Sequence, residues 1–465
     1  MAWIRAATIA ALFIWSSKAA AQDVMLTSPD GTIELSGSLL GFDGEFYRLD
    51  TIYGELTIDG SGVVCEGPGC PNLQNFIAEV SISGSATMGA LLVPALLEGF
   101  AIRNFYSVTR ETVDASHLIY VLRNLSDEAE VARFFFHVST TDEGFADMLA
   151  NDADIVMALR EMRSQERIRA RKAGLGDLSQ ANRSRVLALD AMVPIVAPSN
   201  PVGTISPQEL VEVLAGRITN WRALGGADTE IVLHLPDGAT GLGQSVEDDI
   251  MGPAKLDFAD GVVRHVRSDD LVAAVLRDPF AIAIAIASYA ETGRARKLTL
   301  TGPCGFSISA DRGTIKTEDY PLTSPMFLYT PARRLPKVAR EFLAFNRSPA
   351  AQNIIRRSGF VDQAPEEISI DSQGYRFANA VTAAWPEVSL EELQRMTRTL
   401  YGFARLTTSF CFETGSVRLD AQSRSVIQQS AYAIEQGRYD ARQILLVGFS
   451  DGPGPAPKKK GIALQ

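Results

Sequence analysis

Apolar and polar residues change their spacing several times along this chain, and each change marks a different kind of element. Between Asp23 and Pro71, short alternating runs such as Thr32-Ile33-Glu34-Leu35, Phe46-Tyr47-Arg48-Leu49 and Glu55-Leu56-Thr57-Ile58 are separated by Asp-Gly and Tyr-Gly pairs. A period of two with such turn pairs predicts antiparallel hairpins, hence a small all-β module over residues 23–71. From Phe76 the texture differs. "FIAEVSISGSATMGALLVPALLEGFA" predicts a strand, a small-residue turn and a helix with apolar residues at helical spacing from Leu91 to Phe100. "ARFFFHVSTTDEGFADMLANDADIVMALREM" repeats that order, and its "ADIVMAL" is the continuous apolar run that a doubly covered parallel strand needs.

Three further segments extend the series. "ALDAMVPIVAPSNPV" predicts a strand ending in a Pro/Asn turn, and "SPQELVEVLAGRITNW" a helix capped by Ser206 with Glu209 at its third position. "EIVLHL" is a strand that runs directly into "PDGATG". If these strands are parallel, their loops point the same way, and ligands of open α/β sheets sit at that edge. A strand, a Gly/Ser turn and a helix start aim free backbone N–H groups and a helix dipole at an anion. Trp221 and the Gly225-Gly226 turn shape the return from helix to strand, with Trp221 a core residue.

Length and charge narrow the picture. At roughly 150 residues per domain, a chain of 465 residues predicts about three domains. The formal net charge of -11 argues against nucleic acid as a partner, since backbone binding needs clustered Lys and Arg. Residues 1–21 combine Arg5, an apolar run from Ala6 to Trp15 and Ala19-Ala20-Ala21, which predicts a cleaved secretory signal peptide. The expected location is therefore the periplasm, with outer-membrane or cell-wall association as a further option. Export permits disulfides, and the turn-forming "EGPG" between Cys65 and Cys70 predicts a local bridge. Cys304 and Cys411 are left unassigned. The four histidines show no metal-ligand spacing, so neither a metal nor a cofactor is expected. No G-x-S-x-G elbow precedes a helix, and the chain is expected not to be an enzyme.

The segments "ISGSATM", "NDADIVMALREM", "VPIVAPSNPVGTISPQELVEVLAGRITNWRALGG", "LPDGATG", "YPLTSPMFLY" and "FLAFNRSPAAQNIIRRSGFV" resemble, in that order, those of the PstS-type phosphate-binding proteins of ABC transporters. The resemblance implies an α/β, two-lobed periplasmic-binding-protein-like (type II) fold over residues 76–361. Lobe 1 would hold about 76–161 and 312–361, and lobe 2 about 186–310. It also implies a small oxyanion such as phosphate closed between the lobes, and an ABC transporter permease as a partner. Carried over by position, the ligand contacts are Ser85, Thr87 and Met88 in the first loop, Ser139, Thr140 and Thr141 in the second, Arg160 after the "ADIVMAL" strand, and Gly238, Ala239, Thr240 and Gly241 in the third. Two departures stand out. Asp142 and Glu143 put carboxylates beside the expected hydroxyls, and Leu235 stands where some relatives carry an arginine. Like charge near a dianion is costly at low dielectric, which favours a monoanion or another small polar guest.

The remainder is expected to be a linker with a helix over residues 362–400 and a partial α+β OmpA-like domain over residues 401–465. "RLTTSFCFETGSVRLDAQSRSVIQQSAYAIEQGRYDARQILLVGFSDGPG" resembles the first half of an OmpA-like peptidoglycan-binding domain, as strand, turn, helix, strand and "GFSDG". The resemblance implies that Asp451 contacts the cell-wall peptide. The alternative function is thus a cell-envelope scaffold or peptidoglycan-associated protein with a degenerate ligand site.

Overall fold

The computed structural model describes residues 23–448 except 74–75, 181, 303–306, 375, 379–380, 382–387 and 413–417. The predicted signal peptide, Cys304 and Asp451 lie outside the described residues. The chain divides into one unit over residues 1–78 and another over residues 79–465.

In the first unit the alternating runs form β1 (Asp23–Thr27), β2 (Glu34–Phe42), β3 (Phe46–Thr51), β4 (Gly54–Asp59) and β5 (Val64–Glu66). They pair in the order β4-β3-β2-β1-β5, antiparallel throughout. Period-two patterning puts Val24, Leu26, Tyr47 and Leu49 on one buried face. Cys65 and Cys70 are joined by a disulfide and pack against that face.

The second unit is built on one long sheet. Its first strand, β6 (Ala78–Ser85), leads through a turn of π-helix (Met88–Leu92) into α1 (Val93–Arg103). An antiparallel run follows, β7 (Tyr106–Thr112), β8 (His117–Asn124) and β9 (Glu130–Ser139), then α2 (Thr141–Ala150), β10 (Ile155–Ala158) and α3 (Ser164–Lys172). The chain next enters β11 (Ser184–Val196), a 13-residue strand buried along nearly its whole length. Beyond it lie α4 (Pro207–Leu214), β12 (Val232–Pro236), α5 (Gly241–Val246), β13 (Val263–His265), α6 (Ser268–Arg277) and β14 (Ala281–Ile286). The return uses β15 (Thr323–Tyr329), α7 (Lys337–Phe345) and α8 (Pro349–Arg357).

Strand order across the sheet is β13-β12-β14-β11-β15-β10-β6-β9-β8-β7. One half of β11, Ser184 to Ala191, pairs with β15, and the other, Met192 to Val196, pairs with β14. A single strand therefore carries the backbone ladder from one half of the sheet to the other. The pairs β6/β10, β12/β13 and β12/β14 are parallel, and every residue of β10 and β14 is buried. Such strands lie covered on both faces, which is why their sequences are unbroken apolar runs.

At one crossing the backbone leaves no room for a side chain. Gly84 has φ +121°, and a Cβ there would stand 2.2 Å from the Met157 carbonyl oxygen. That close approach fixes the end of β6 against β10, just ahead of the loop from Ser85 to Met88.

The tail differs from expectation. The helix is present as α9 (Ala421–Glu435), capped by Asp420, whose carboxylate accepts from Ser423 N at 2.7 Å. The second OmpA-like strand is not. Residues 442–448 form no strand, and Ile444, Leu445, Leu446 and Val447 are exposed. A strand needs a neighbouring ladder for its N–H and C=O groups, and among the described residues no ladder or bridge includes 442–448. The α9 helix instead docks on the large sheet, where Ser425 Oγ donates to Val186 O at 3.3 Å. Among the described residues no helix is long and apolar enough to cross a membrane.

Candidate functional site

Three strand ends supply the groups that the sequence singles out. At the end of β9, Thr140 caps α2: its Oγ1 accepts from Glu143 N at 3.2 Å, while the Glu143 carboxylate accepts from Thr140 N. At the end of β12, Thr240 caps α5, accepting from Gly243 N at 3.1 Å and donating to Asp237 O at 2.6 Å. Ala239 N donates to the Asp237 side chain at 2.9 Å. At the end of β10, Leu159 N donates to Thr141 Oγ1 at 3.2 Å, and Arg160 follows. The α2 and α5 starts then meet: a Cβ on Gly241 would lie 2.7 Å from Thr141 Oγ1. Ser245 Oγ, one turn into α5, donates to Leu159 O at 3.2 Å.

Arg160 lies at the centre of this junction, 6% exposed, over the Phe145 ring at 5.4 Å. A guanidinium has five N–H donors, and each of Arg160's is used. Nε donates to Gln244 Oε1 at 3.0 Å, and Nη1 to Glu161 O and Glu166 Oε2, both at 2.9 Å. Nη2 donates to Glu166 Oε1 at 2.7 Å and to Asp142 Oδ1. Gln244 closes the ring, its Nε2 donating to Asp142 Oδ2 at 2.7 Å. Burial alone would depress the Arg160 pKa; the bonds to Glu166 and Asp142 outweigh it and hold it above its usual value. A charged group this buried needs such partners.

Thr141, Arg160 and Gly241 are therefore brought together, with the hydroxyls of Thr140 and Thr240 taken up in helix caps. Ser139 Oγ is buried with no hydrogen-bond partner. Gly238 is open, with nothing within 4 Å of a Cβ placed there. Ser85 and Met88 are buried and Thr87 half-buried at the junction of β6 and α1, beside the end of β10, and none of them bonds Arg160. Four groups of the junction escape the sequence reading as contacts: Asp142, Glu166, Gln244 and Ser245. Asp142 left a trace as a carboxylate among hydroxyls. Gln244 left only its position, the first turn of a helix after a glycine-containing loop.

Elsewhere, Glu318, Cys411 and Asp420 place their ligand atoms within 4.8 Å of one another. Burial, then Asp420 and Asp319, push the Glu318 carboxyl up to about 8. The histidines find protein partners: His137 Nδ1 pairs with Asp147 at 2.7 Å, His117 with Asp114 at 2.9 Å, and His234 with His265 at 2.9 Å.

Comparison with known proteins assigns the chain to a family. The model of a PBP superfamily domain matches residues 79–349. The phosphate-binding protein PstS of Borreliella burgdorferi is 24% identical over 192 residues, 40% of this chain and 67% of that protein. The phosphate-binding protein PstS of Bacillus subtilis is 26% identical over 191 residues, 40% of this chain, so that this chain spans 60% of that relative's length. Among solved structures, a putative phosphate ABC transporter substrate-binding protein with bound phosphate from Clostridium perfringens aligns with a TM-score of 0.47 at 19% identity, covering 61% of this chain and 99% of that one. An ABC-type phosphate transport receptor from Vibrio cholerae aligns with a TM-score of 0.45 at 18% identity, covering 61% and 99%. The family match takes in more than half of the 465 residues, and the chain belongs to the PBP superfamily.

Proposed function

We propose that this protein is an exported, non-catalytic solute-binding protein that holds a small oxyanion, phosphate in the first instance, where the α2 and α5 starts meet Arg160. The observation that carries this reading is the Arg160 guanidinium: a buried cation at the meeting point of strand-to-helix loops from both halves of the sheet, holding a carboxylate through Nη2. Glu166 holds the two-nitrogen fork, and Asp142 takes the remaining Nη2 N–H together with Gln244 Nε2, charge-assisted bonds of the kind that an oxyanion also accepts. Asp142 then occupies the guest's place in the unliganded protein, and an oxyanion binds by displacing its carboxylate from Arg160 and Gln244. Thr141, the α2 and α5 amides, and the loop from Gly238 to Gly241 form the walls, with Ser85, Thr87, Met88, Ser139 and Thr140 as the second flank. The relatives named for phosphate binding support the ligand class.

Export to the periplasm and delivery to an ABC transporter permease follow from the same reading. Isothermal titration of the mature chain with phosphate, sulfate and a neutral sugar tests it. Heat with phosphate that disappears in Arg160→Ala is the expected result; no heat with either anion refutes it.

A further inference from the structure

Where β11, β15 and α7 meet the tail helix α9, they border a small pocket, partly open to solvent, of about 20 Å3, lined by Arg185, Asn346, Arg347, Ser425 and Gln428, among others. None of its lining residues is acidic. Arg185 Nε is buried with no hydrogen-bond partner, and its Nη1 reaches only the Leu343 carbonyl, at 3.4 Å. Arg347 spends one N–H on Gln428 Oε1. Among the described residues neither arginine makes an ion pair. Asn346 is 6% exposed, and both polar atoms of its side chain lack a partner.

Native proteins rarely leave so many buried polar atoms unmatched, and each such atom calls for an explanation. A water would satisfy a donor, but it leaves two cationic groups without counter-charge around one small space. An anion does both. The stress is visible in the acidity of the arginines: burial, then Arg347 and Arg183, push Arg185 down to about 10, and burial lowers Arg347. Size selects the anion. A single water needs roughly 10–15 Å3, so the space has room for a particle slightly larger than water.

We propose that this cavity is a binding site for a small monovalent anion of chloride size, held by Arg185 Nε, Asn346 Nδ2 and the Arg347 guanidinium. The bound anion ties α9 to the sheet, because Arg185 lies on β11, Arg347 just after α7, and Gln428, which accepts from Arg347, on α9. The site is independent of the oxyanion junction and of any guest there.

Bromide is the probe. Crystals of the mature chain soaked in sodium bromide are expected to show an anomalous peak in the cavity, within hydrogen-bond distance of Arg185 Nε and Asn346 Nδ2. In solution, the melting temperature is expected to stand several degrees higher in sodium bromide or chloride than in sodium isethionate at equal ionic strength. That difference should vanish in Arg347→Gln and in Asn346→Leu. Absence of bromine density from the cavity, or a halide effect that both variants retain in full, overturns the proposal. If neither variant folds, the bromide map of the unaltered chain decides alone.

Discussion

Gln244 and Asp142, 102 residues apart, are joined by a 2.7 Å hydrogen bond from Gln244 Nε2 to Asp142 Oδ2, while Gln244 Oε1 accepts from Arg160 Nε at 3.0 Å. One amide thus reads both partners of an ion pair and joins α5 to the α2 start. If Asp142 stands in for the guest, removing its carboxylate should help the guest. A hydrogen bond to a charged group contributes about 1.5–3 kcal/mol, which is about ten- to a hundredfold in affinity. Asp142→Ser is therefore expected to tighten phosphate binding by about that factor in calorimetry, with the enthalpy still lost in the Asp142→Ser, Arg160→Ala double variant. An unchanged affinity would show that Asp142 does not compete.

The same amide has a structural role that can be measured without any ligand. Gln244 is 5% exposed, and replacing it by Leu, a residue of similar volume, strips an acceptor from buried Arg160 Nε. An orphaned buried donor costs about 1–3 kcal/mol, more when charged. Urea unfolding should show an unfolding free energy lowered by that amount, read as a lower midpoint with the slope unchanged. Gln244→Glu, which retains an acceptor for Nε but confronts Asp142 with a second carboxylate, should also be destabilised.

Much of this architecture was legible in the sequence because one physical rule fixed each element. Period-two alternation with Gly turns specified the hairpins of the first unit, and unbroken apolar runs specified β10 and β14. The capping pair Ser206 and Glu209 appears as read, with Glu209 N donating to Ser206 Oγ at 3.1 Å. The junction was legible only in part. The resemblance carries over Thr141, Arg160 and Gly241 by position, but it does not say that Arg160 pairs with Asp142 and Glu166, 18 and 6 residues away, or that its Nε donates to Gln244, 84 residues away. The missing strand over residues 444–448 shows the converse limit: "ILLVG" has strand composition, yet a strand exists only against a partner.

Asp190 gives a pH-dependent test. It is fully buried in β11, at the point where the strand passes from one neighbour to the other, and burial pushes its carboxyl up to about 6 despite bonds from Ser288 Oγ and the Ala191 amide. Since the folded value lies above the unfolded one, near 3.8, the folded state holds the proton more tightly. The resulting stability is fully present below pH about 4 and is lost as pH rises through about 6. Asp190→Asn keeps an acceptor for Ser288 and cannot ionise. Its melting temperature relative to the unaltered chain should therefore rise between pH 4 and pH 7 and then level off. A difference independent of pH would mean that Asp190 is not titrating in that window.

Two glycines near the junction allow a controlled comparison of space. Gly84 has φ +121° and would bring a Cβ to 2.2 Å from the Met157 carbonyl, a backbone atom held by the β6–β10 ladder, so neither partner can yield cheaply. Left-handed strain of about 1–3 kcal/mol adds to an overpacking cost of similar size. Gly84→Ala is accordingly expected to lose about 2–5 kcal/mol in chemical unfolding and to disturb the loop carrying Ser85, Thr87 and Met88, weakening phosphate binding beyond any loss of folded protein. Gly238 has nothing within 4 Å of its Cβ position and no φ in the left-handed range. Gly238→Ala should change stability by no more than about 0.5 kcal/mol, as surface substitutions usually do. If it nevertheless weakens phosphate binding, the cause is crowding of the guest itself. If both variants bind like the unaltered chain, neither loop lines the oxyanion site, and the contacts must be sought around Thr141 and Arg160 alone.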